Sequence, residues 1–227
     1  FTAMVEGLAD GCRALEVPVV GGNVSLYNDS AAGPVPPTPT LAMVGTKSGY
    51  DAPPMAVSGG GEGGQGEGRG ETDLVLVGGH NGRLGGSIYL DEVGGADRVP
   101  DLPEEPSALL QTLASVADQD EVQAVHDVSD GGLAVTLAEM VTEHAGIRAS
   151  VPDRRALFSE APGRVVVETT DKERLGEEFR DVATVETIGT TDASGRLAIE
   201  VETEDATVQL SAEDVAAARS TLDAALE

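Results

Sequence analysis

The sequence has few of the residues that stabilise small secreted or metal-binding domains. Its 227 residues include one cysteine, Cys12, and no tryptophan, and aromatic residues make up 3%. A single cysteine excludes an internal disulfide framework and a zinc site made of cysteines. No apolar run approaches the ~18 residues of a membrane span, and no charged-then-apolar leader is visible. We therefore expect a cytoplasmic protein, whose cores are built from aliphatic side chains.

Basic residues are also scarce. The chain has 14 Lys+Arg against 40 Asp+Glu, a formal net charge of −26, and its only lysines are Lys47 and Lys172. Such a surface repels nucleic acid and anionic membranes, so neither is an expected partner. The composition favours a protein from a high-salt cytoplasm. At molar salt the Debye length is only ~3 Å, so the many acidic side chains barely repel one another beyond contact distance. An ordinary acidic protein with a GC-biased codon supply is the alternative.

The pattern along the chain divides it into three parts. Residues 1–50 predict a helix over 2–16 and short strands at 18–20 and 41–45. Residues 51–70 predict a linker or loop, because eight glycines lie between Gly59 and Gly70. Since the sequence begins inside an amphipathic helix, we expect it to be a C-terminal fragment with residues missing upstream.

The third part, residues 71–227, alternates strands and helices. Strands are predicted at 73–77, 122–125, 164–169, 185–188, 196–201 and 207–210, and helices at 103–117, 131–144 and 172–182. A final helix opens at Ser211, with Asp214 at capping-box spacing. This order predicts an α/β (α+β) fold with a mixed sheet and flanking helices.

The segment 19–28 (VVGGNVSLYN) is the sharpest chemical motif. A strand that runs into Gly21 and Gly22 lets a phosphate approach the backbone closely. Asn23 offers an amide oxygen suited to Mg²⁺, and Ser25 offers a hydroxyl on the same side of an extended backbone. A tight turn with a self-bonding Asn is the alternative.

A second motif, 126–133 (HDVSDGGL), joins a predicted strand to a predicted helix. Asp127, Ser129 and Asp130 suit either capping of the helix or a phosphate cradle with the two glycines that follow. We expect His126 to be packed or hydrogen-bonded rather than to act as a base.

The third motif is LFSE at 157–160, followed by Arg164. Glu160 and Arg164 could pair or contact a ligand, although a solvated loop is the simpler interpretation. The glycine-rich turn at 80–87 lacks the lysine and the spacing of a P-loop. His80 and His144 have no neighbours in sequence typical of metal ligands and receive no role.

Taken together, these motifs resemble the PurL family of phosphoribosylformylglycinamidine synthases. The strings VGGNVSLYN, PPTP, LGGSIYL, HDVSDGGLAV and LFSE…GR stand in that family's order and approximate spacing. The resemblance covers nearly the whole chain apart from the glycine-rich stretch at 58–70. It implies a PurM-like C-terminal domain at 71–227, preceded by the tail of a PurM-like, ATP-binding N-terminal domain at 1–50.

The resemblance also implies a function. The family uses ATP to activate the amide oxygen of formylglycinamide ribonucleotide, which ammonia then converts to the amidine in purine biosynthesis. A glutaminase subunit, PurQ, supplies the ammonia, and a small subunit, PurS, bridges the two. The family's catalytic histidine lies in a first half that this sequence does not contain. We therefore expect no catalytic residue in this chain and no synthase activity from it alone.

The resemblance implies roles for three residues that match the family's motif. Gly22 matches an ATP-contacting glycine, Asn23 a Mg²⁺ ligand and Ser25 a contact to the ribonucleotide substrate. Glu160 is similar in place to an acidic substrate-binding residue, but its neighbours depart from the family's pattern. Roles for Asp127, Gly132 and Glu160 remain open. The alternatives are a related enzyme like aminoimidazole ribonucleotide synthetase, and a non-catalytic, nucleotide-holding module.

Overall fold

The structure, a computed structural model, describes residues 1–25, 29–46, 48–49, 52–60 and 72–220. The chain divides into two compact units, Phe1–Tyr50 and Asp51–Glu227. Each unit is described by itself.

The described residues of the first unit form one helix and one small hairpin. Helix α1 spans Thr2–Ala14, and strands β1 (Asp29–Ser30) and β2 (Gly33–Pro34) pair antiparallel. The predicted helix is confirmed, because Met4, Leu8 and Cys12 share its half-buried face. The hairpin was not predicted.

The two strands predicted in this unit are absent from the described residues. Val20 is 95% exposed and Val44 is 99% exposed, and both lie in irregular backbone. The prediction for 18–20 and 41–45 was wrong because an apolar run becomes a strand only when a neighbour pairs with its backbone groups. Among the described residues, no strand pairs with either segment.

The second unit is an α/β sheet domain. Its strands are β3 (Asp73–Val77), β4 (Val122–Asp127), β5 (Gly146–Val151), β6 (Val165–Thr169), β7 (Val185–Asp192), β8 (Arg196–Val201) and β9 (Ala206–Ser211). Its helices are α2 (Ile88–Val93), α3 (Pro106–Val116), α4 (Gly132–Met140), α5 (Arg154–Phe158), α6 (Lys172–Glu178) and α7 (Ala212–Arg219). A 3₁₀ turn occupies Glu202–Glu204.

The seven strands form one mixed sheet in the order β4-β6-β3-β7-β5-β8-β9. Every neighbouring pair is antiparallel except β5 and β8, which are parallel. The predicted α/β (α+β) fold, with a mixed sheet and flanking helices, is confirmed.

The sheet carries a hydrophobic core on each face. In β3, Leu74 and Leu76 belong to one core and Val75 and Val77 to the other, as the two-residue period of a strand requires. Helices α4 and α5 contribute to the first core, and α3 and α6 to the second. Because both faces are covered, the central strands read as continuous apolar runs.

Several boundaries differ from the prediction. Helix α4 ends at Met140 rather than at 144, because Val141 is extended and Thr142 bridges to Ala145. Strand β5 and helices α2 and α5 were not predicted. The capping box at the start of α7 is confirmed, since the side chains of Ser211 and Asp214 each accept a hydrogen bond from the other's backbone N–H.

Residues 52–60, predicted as part of a linker, belong to the second unit and pack against the rest of it. Val57 is buried and its N–H donates to the carbonyl of Met140 at 2.9 Å, while Val125 N–H donates to the carbonyl of Pro54 at 3.0 Å. β4 is the edge strand of the sheet, and this segment covers the side of β4 that does not pair with β6. The glycine-rich stretch at 61–70 lies outside the described residues.

Candidate functional site

The first candidate site, at Gly22, Asn23 and Ser25, lies in the first unit. All three residues are exposed and in irregular backbone. Gly22 has a φ of 149°, which favours glycine, and a Cβ there would meet none of the described residues within 4 Å. The motif's last three residues, 26–28, lie outside the described residues. The local structure therefore leaves the backbone at Gly22 open to a ligand.

The side-chain oxygen donors of this segment are neutral. The described residues contain no cluster of three His, Cys, Asp or Glu side chains placed to hold a metal ion. The Asn23 amide and the Ser25 hydroxyl are oxygen donors of the hard type that Mg²⁺ takes. They fit a Mg²⁺ ion whose remaining ligands are phosphate oxygens and water, but not a site made only of protein.

The motifs of the second unit converge at one end of the sheet. Val77, at the end of β3, pairs with Val165, and Asp127, at the end of β4, pairs with the same residue. The loops that follow β3 and β4 therefore meet the loop that precedes β6. We call these segments, residues 78–87, 127–132 and 159–164, the loop junction.

Glu160 connects the other two loops of the junction. Its Oε1 accepts hydrogen bonds from the backbone N–H of Ile88 at 2.9 Å and of Gly131 at 2.8 Å. Ile88 is the first residue of α2, and Gly131 is the N-cap of α4. A carboxylate at a helix N-terminus is stabilised by the free N–H groups and the helix dipole. Glu160 therefore acts within the protein as a connector between two helix starts.

Gly132 brings α4 into close contact with the third loop. Its φ is 67°, and a Cβ at this position would lie 2.7 Å from the carbonyl oxygen of Ser159 and 2.9 Å from that of Leu157. Only glycine allows this approach without moving the backbone. The second glycine of HDVSDGGL is thus explained by packing.

The structure does not show the capping that was one of the two alternatives for Asp127, Ser129 and Asp130. The N-cap of α4 is Gly131, which has no side-chain cap, and Ser129 donates its hydroxyl to the Asp127 carboxylate instead. The N–H of Gly131 goes to Glu160 and that of Gly132 to the carbonyl of Ser129. These two donors of the proposed phosphate cradle are therefore already used.

Arg164 is buried and does not pair with Glu160. It is 2% exposed, and it donates to the carbonyl oxygens of Ser159 and Ala161. Burial lowers the pKa of this guanidinium to about 10. Since Ser159 and Ala161 are buried as well, the prediction of a solvated loop was wrong. Through these two hydrogen bonds the guanidinium stabilises the 159–164 turn, which contains Glu160.

The histidines behave largely as expected. His126 is mostly buried, with its Nδ1 2.8 Å from the carbonyl oxygen of Asp127 and its Nε2 3.4 Å from Glu139, so the expectation of a packed histidine is confirmed. His80, which received no role, lies 3.6 Å from Glu186, and burial lowers its pKa. Among the described residues, the Nδ1 of His80 has no hydrogen-bond partner.

Comparison with known families identifies the class. Residues 71–202 match the family described as AIR synthase related protein, C-terminal domain, and residues 1–46 match AIR synthase related protein, N-terminal domain. Because the first match covers more than half of the chain, the chain belongs to the AIR synthase related (PurM-like) family.

Within that family the chain is similar to PurL. It is 48% identical, over 100% of its length, to phosphoribosylformylglycinamidine synthase subunit PurL of Haloquadratum walsbyi, and 53% identical over the same share to the PurL of Natronomonas pharaonis. It covers 30% and 31% of those proteins, so it spans about a third of the length of these curated relatives. The resemblance inferred from the motifs is confirmed. Both organisms are halophilic archaea, in agreement with the high-salt interpretation of the composition.

Solved structures support the fold. The chain matches "T. maritima PurL complexed with FGAR" with a TM-score of 0.67 and 17% identity, over 95% of this chain and 37% of that one. It matches "Structure of PurLQS from Thermotoga maritima" with a TM-score of 0.65 and 18% identity, over 93% and 35%. Other Thermotoga maritima PurL structures hold ATP, ADP or AMPPCP. In the part of this chain that the structure describes, no helix has both the length and the apolar character needed to cross a membrane.

Proposed function

We propose that the chain is part of an ATP-dependent carbon–nitrogen ligase that converts formylglycinamide ribonucleotide and ammonia to formylglycinamidine ribonucleotide in the cytoplasm. The main support is the similarity to PurL over the full length of the chain, at 48% and 53% identity. The motif around Gly22, Asn23 and Ser25 adds the chemistry that such a ligase needs. The proposed activity belongs to the whole protein, of which this chain supplies one portion.

In this proposal the first unit contributes the tail of the ATP-binding domain, at residues 1–50, and residues 71–227 form the C-terminal-type domain. Gly22 lets the nucleotide approach the backbone, because glycine has no side chain and no atom of the described part of the chain lies within 4 Å of its Cβ position. Asn23 supplies an amide oxygen to Mg²⁺, and Ser25 donates its hydroxyl to the ribonucleotide. Bound Mg²⁺ would neutralise charge on the transferring phosphoryl group.

The second unit has a supporting role in this proposal. Its loop junction uses Glu160 to join the starts of α2 and α4. None of its residues is assigned to catalysis. The PurLQS assembly of Thermotoga maritima supports a glutaminase subunit, PurQ, and a small subunit, PurS, as partners of the whole protein.

The test uses the full-length protein with its glutaminase partner in molar KCl. We would measure ADP release with formylglycinamide ribonucleotide and ammonia, while varying the Mg²⁺ concentration. Asn23→Ala is expected to raise the Mg²⁺ concentration needed for half-maximal rate, and Asn23→Asp to retain more activity because it keeps an oxygen ligand. Ser25→Ala is expected to raise KM for the ribonucleotide.

Thr40→Ala, an exposed change in the same unit, is the matched control and should behave as wild type. If ADP release does not depend on ammonia, the chain belongs to a different reaction, such as that of aminoimidazole ribonucleotide synthetase. If ammonia is required but Asn23→Ala keeps its Mg²⁺ dependence, the ligase assignment stands and Asn23 is only a turn residue.

A further inference from the structure

Strand β6 carries a carboxylate where its neighbours are valines. Glu168 follows Val165, Val166 and Val167 and is 0% exposed. It pairs with Leu74 of β3 and Ala124 of β4, in the interior of the sheet. No Lys or Arg among the described residues lies within ion-pair distance of it. A buried carboxylate in this position needs hydrogen bonds to replace the water it has lost.

Those hydrogen bonds come from three residues. The Ser58 N–H donates to Glu168 Oε2 at 2.7 Å, and the Ser58 hydroxyl donates to Oε1 at 2.6 Å. The Thr191 hydroxyl donates to Oε1 at 2.9 Å, and the Thr72 hydroxyl also donates to Oε1. Both carboxylate oxygens are therefore satisfied, without a cation among the described residues.

Ser58 and Thr72 flank residues 61–70, which we call the glycine-rich segment. Ser58 lies three positions before its first residue and Thr72 two positions after its last. Each flank has a second attachment close by: Val57 N–H donates to the carbonyl of Met140, and the carbonyl of Thr72 accepts from Thr191 N–H. One buried carboxylate oxygen thus brings together two points of the chain that fourteen residue positions separate.

We propose that Glu168 is an anchor that fixes both ends of the glycine-rich segment to the sheet, so that the fold depends little on the length or sequence of residues 61–70. The ends are held by contacts outside the segment. The free energy of closing a loop changes slowly with its length once its ends are fixed. The segment is therefore a position where the protein accepts deletions, extensions or inserted tags.

The anchor is tested by amide hydrogen exchange on the full-length protein. In the wild type, the Ser58 amide should exchange as slowly as amides of the sheet. Glu168→Val leaves that N–H without an acceptor, and exchange at Ser58 should then become at least tenfold faster, while Leu76 in the central strand keeps its rate. Glu200→Val, the same change at an exposed position of β8, should alter neither rate.

Two exchange results would overturn the proposal. One is an unprotected Ser58 amide in the wild type, which can be measured even if Glu168→Val fails to fold. The other is an equal acceleration at Ser58 and Leu76 in the variant, which would mean that Glu168 adds only to global stability.

The second arm changes the segment and leaves Glu168 in place. Residues 61–70 are replaced by five, or by twenty, glycine and serine residues. Tm should stay within about 3 °C of the wild type, because a twofold change in loop length has a small effect on stability. A larger fall in Tm with either replacement would show that the segment itself supports the fold.

Discussion

Gly132 allows a quantitative test of the loop junction. Gly132→Ala places a methyl group 2.7 Å from the carbonyl oxygen of Ser159 and 2.8 Å from the carbonyl carbon of Phe158. Both are backbone atoms, so no flexible side chain can move aside. The backbone of α4 or of the 157–159 segment must shift instead. That shift also moves Gly131, whose N–H donates to Glu160.

The expected loss of stability has two parts. A left-handed φ costs an alanine roughly 1–2 kcal/mol relative to glycine, and overpacking in a tight site costs typically about 1–3 kcal/mol. Gly132→Ala should therefore lower the free energy of unfolding by about 2–5 kcal/mol. Gly86→Ala is the matched control, because Gly86 has a similar φ of 83° and a Cβ there would meet nothing within 4 Å. It should lose only the first part, roughly 1–2 kcal/mol.

The measurement is denaturant unfolding of both variants and the wild type at one fixed KCl concentration. The difference in the free energy of unfolding between the two variants isolates the contact of residue 132 with residues 157–159. If Gly132→Ala and Gly86→Ala lose equal amounts of stability, the close approach of α4 to residues 157–159 does not constrain the fold, and the packing explanation of Gly132 fails.

Two further predictions concern the solution conditions. Stability should rise from low salt to molar KCl, because 40 acidic residues against 14 basic ones repel one another and salt screens that repulsion; a Tm that is flat or falls over this range would contradict it. Burial lowers the pKa of His80 in the folded state, so the unfolded chain binds a proton more readily and stability falls as the pH drops below the ordinary histidine value of about 6.5. His80→Gln should make the fall in Tm between pH 7 and pH 5 smaller. An unchanged dependence of Tm on pH would show that protonation of His80 does not cause this fall.

Elements that depend on residues close together in the sequence were predicted correctly. The strand at 73–77 and the capping box of Ser211 and Asp214 depend on neighbours in the chain, and both are confirmed. The strands expected at 18–20 and 41–45 failed for the opposite reason. Their apolar residues are suited to a sheet, but a strand also needs a partner, which a local pattern does not reveal.

The contacts of the candidate sites were harder to predict. Glu160 was singled out, but its donors lie 72 and 29 residues away in the sequence, and no spacing rule links them. Glu168 was missed because it sits inside a valine-rich strand signal. The charge within that run was the one available clue, since a buried carboxylate requires partners. The roles of Gly22, Asn23 and Ser25 remain predictions.

The position of β3 in the sheet sets the order in which the second unit can assemble. β3 is the first strand of the sheet to be synthesised, but it pairs only with β6 and β7, which begin at Val165 and Val185. Until those residues leave the ribosome, the apolar run from Leu74 to Val77 has two unpaired edges. We therefore expect chains truncated before 165 to aggregate or be degraded rather than to fold in part.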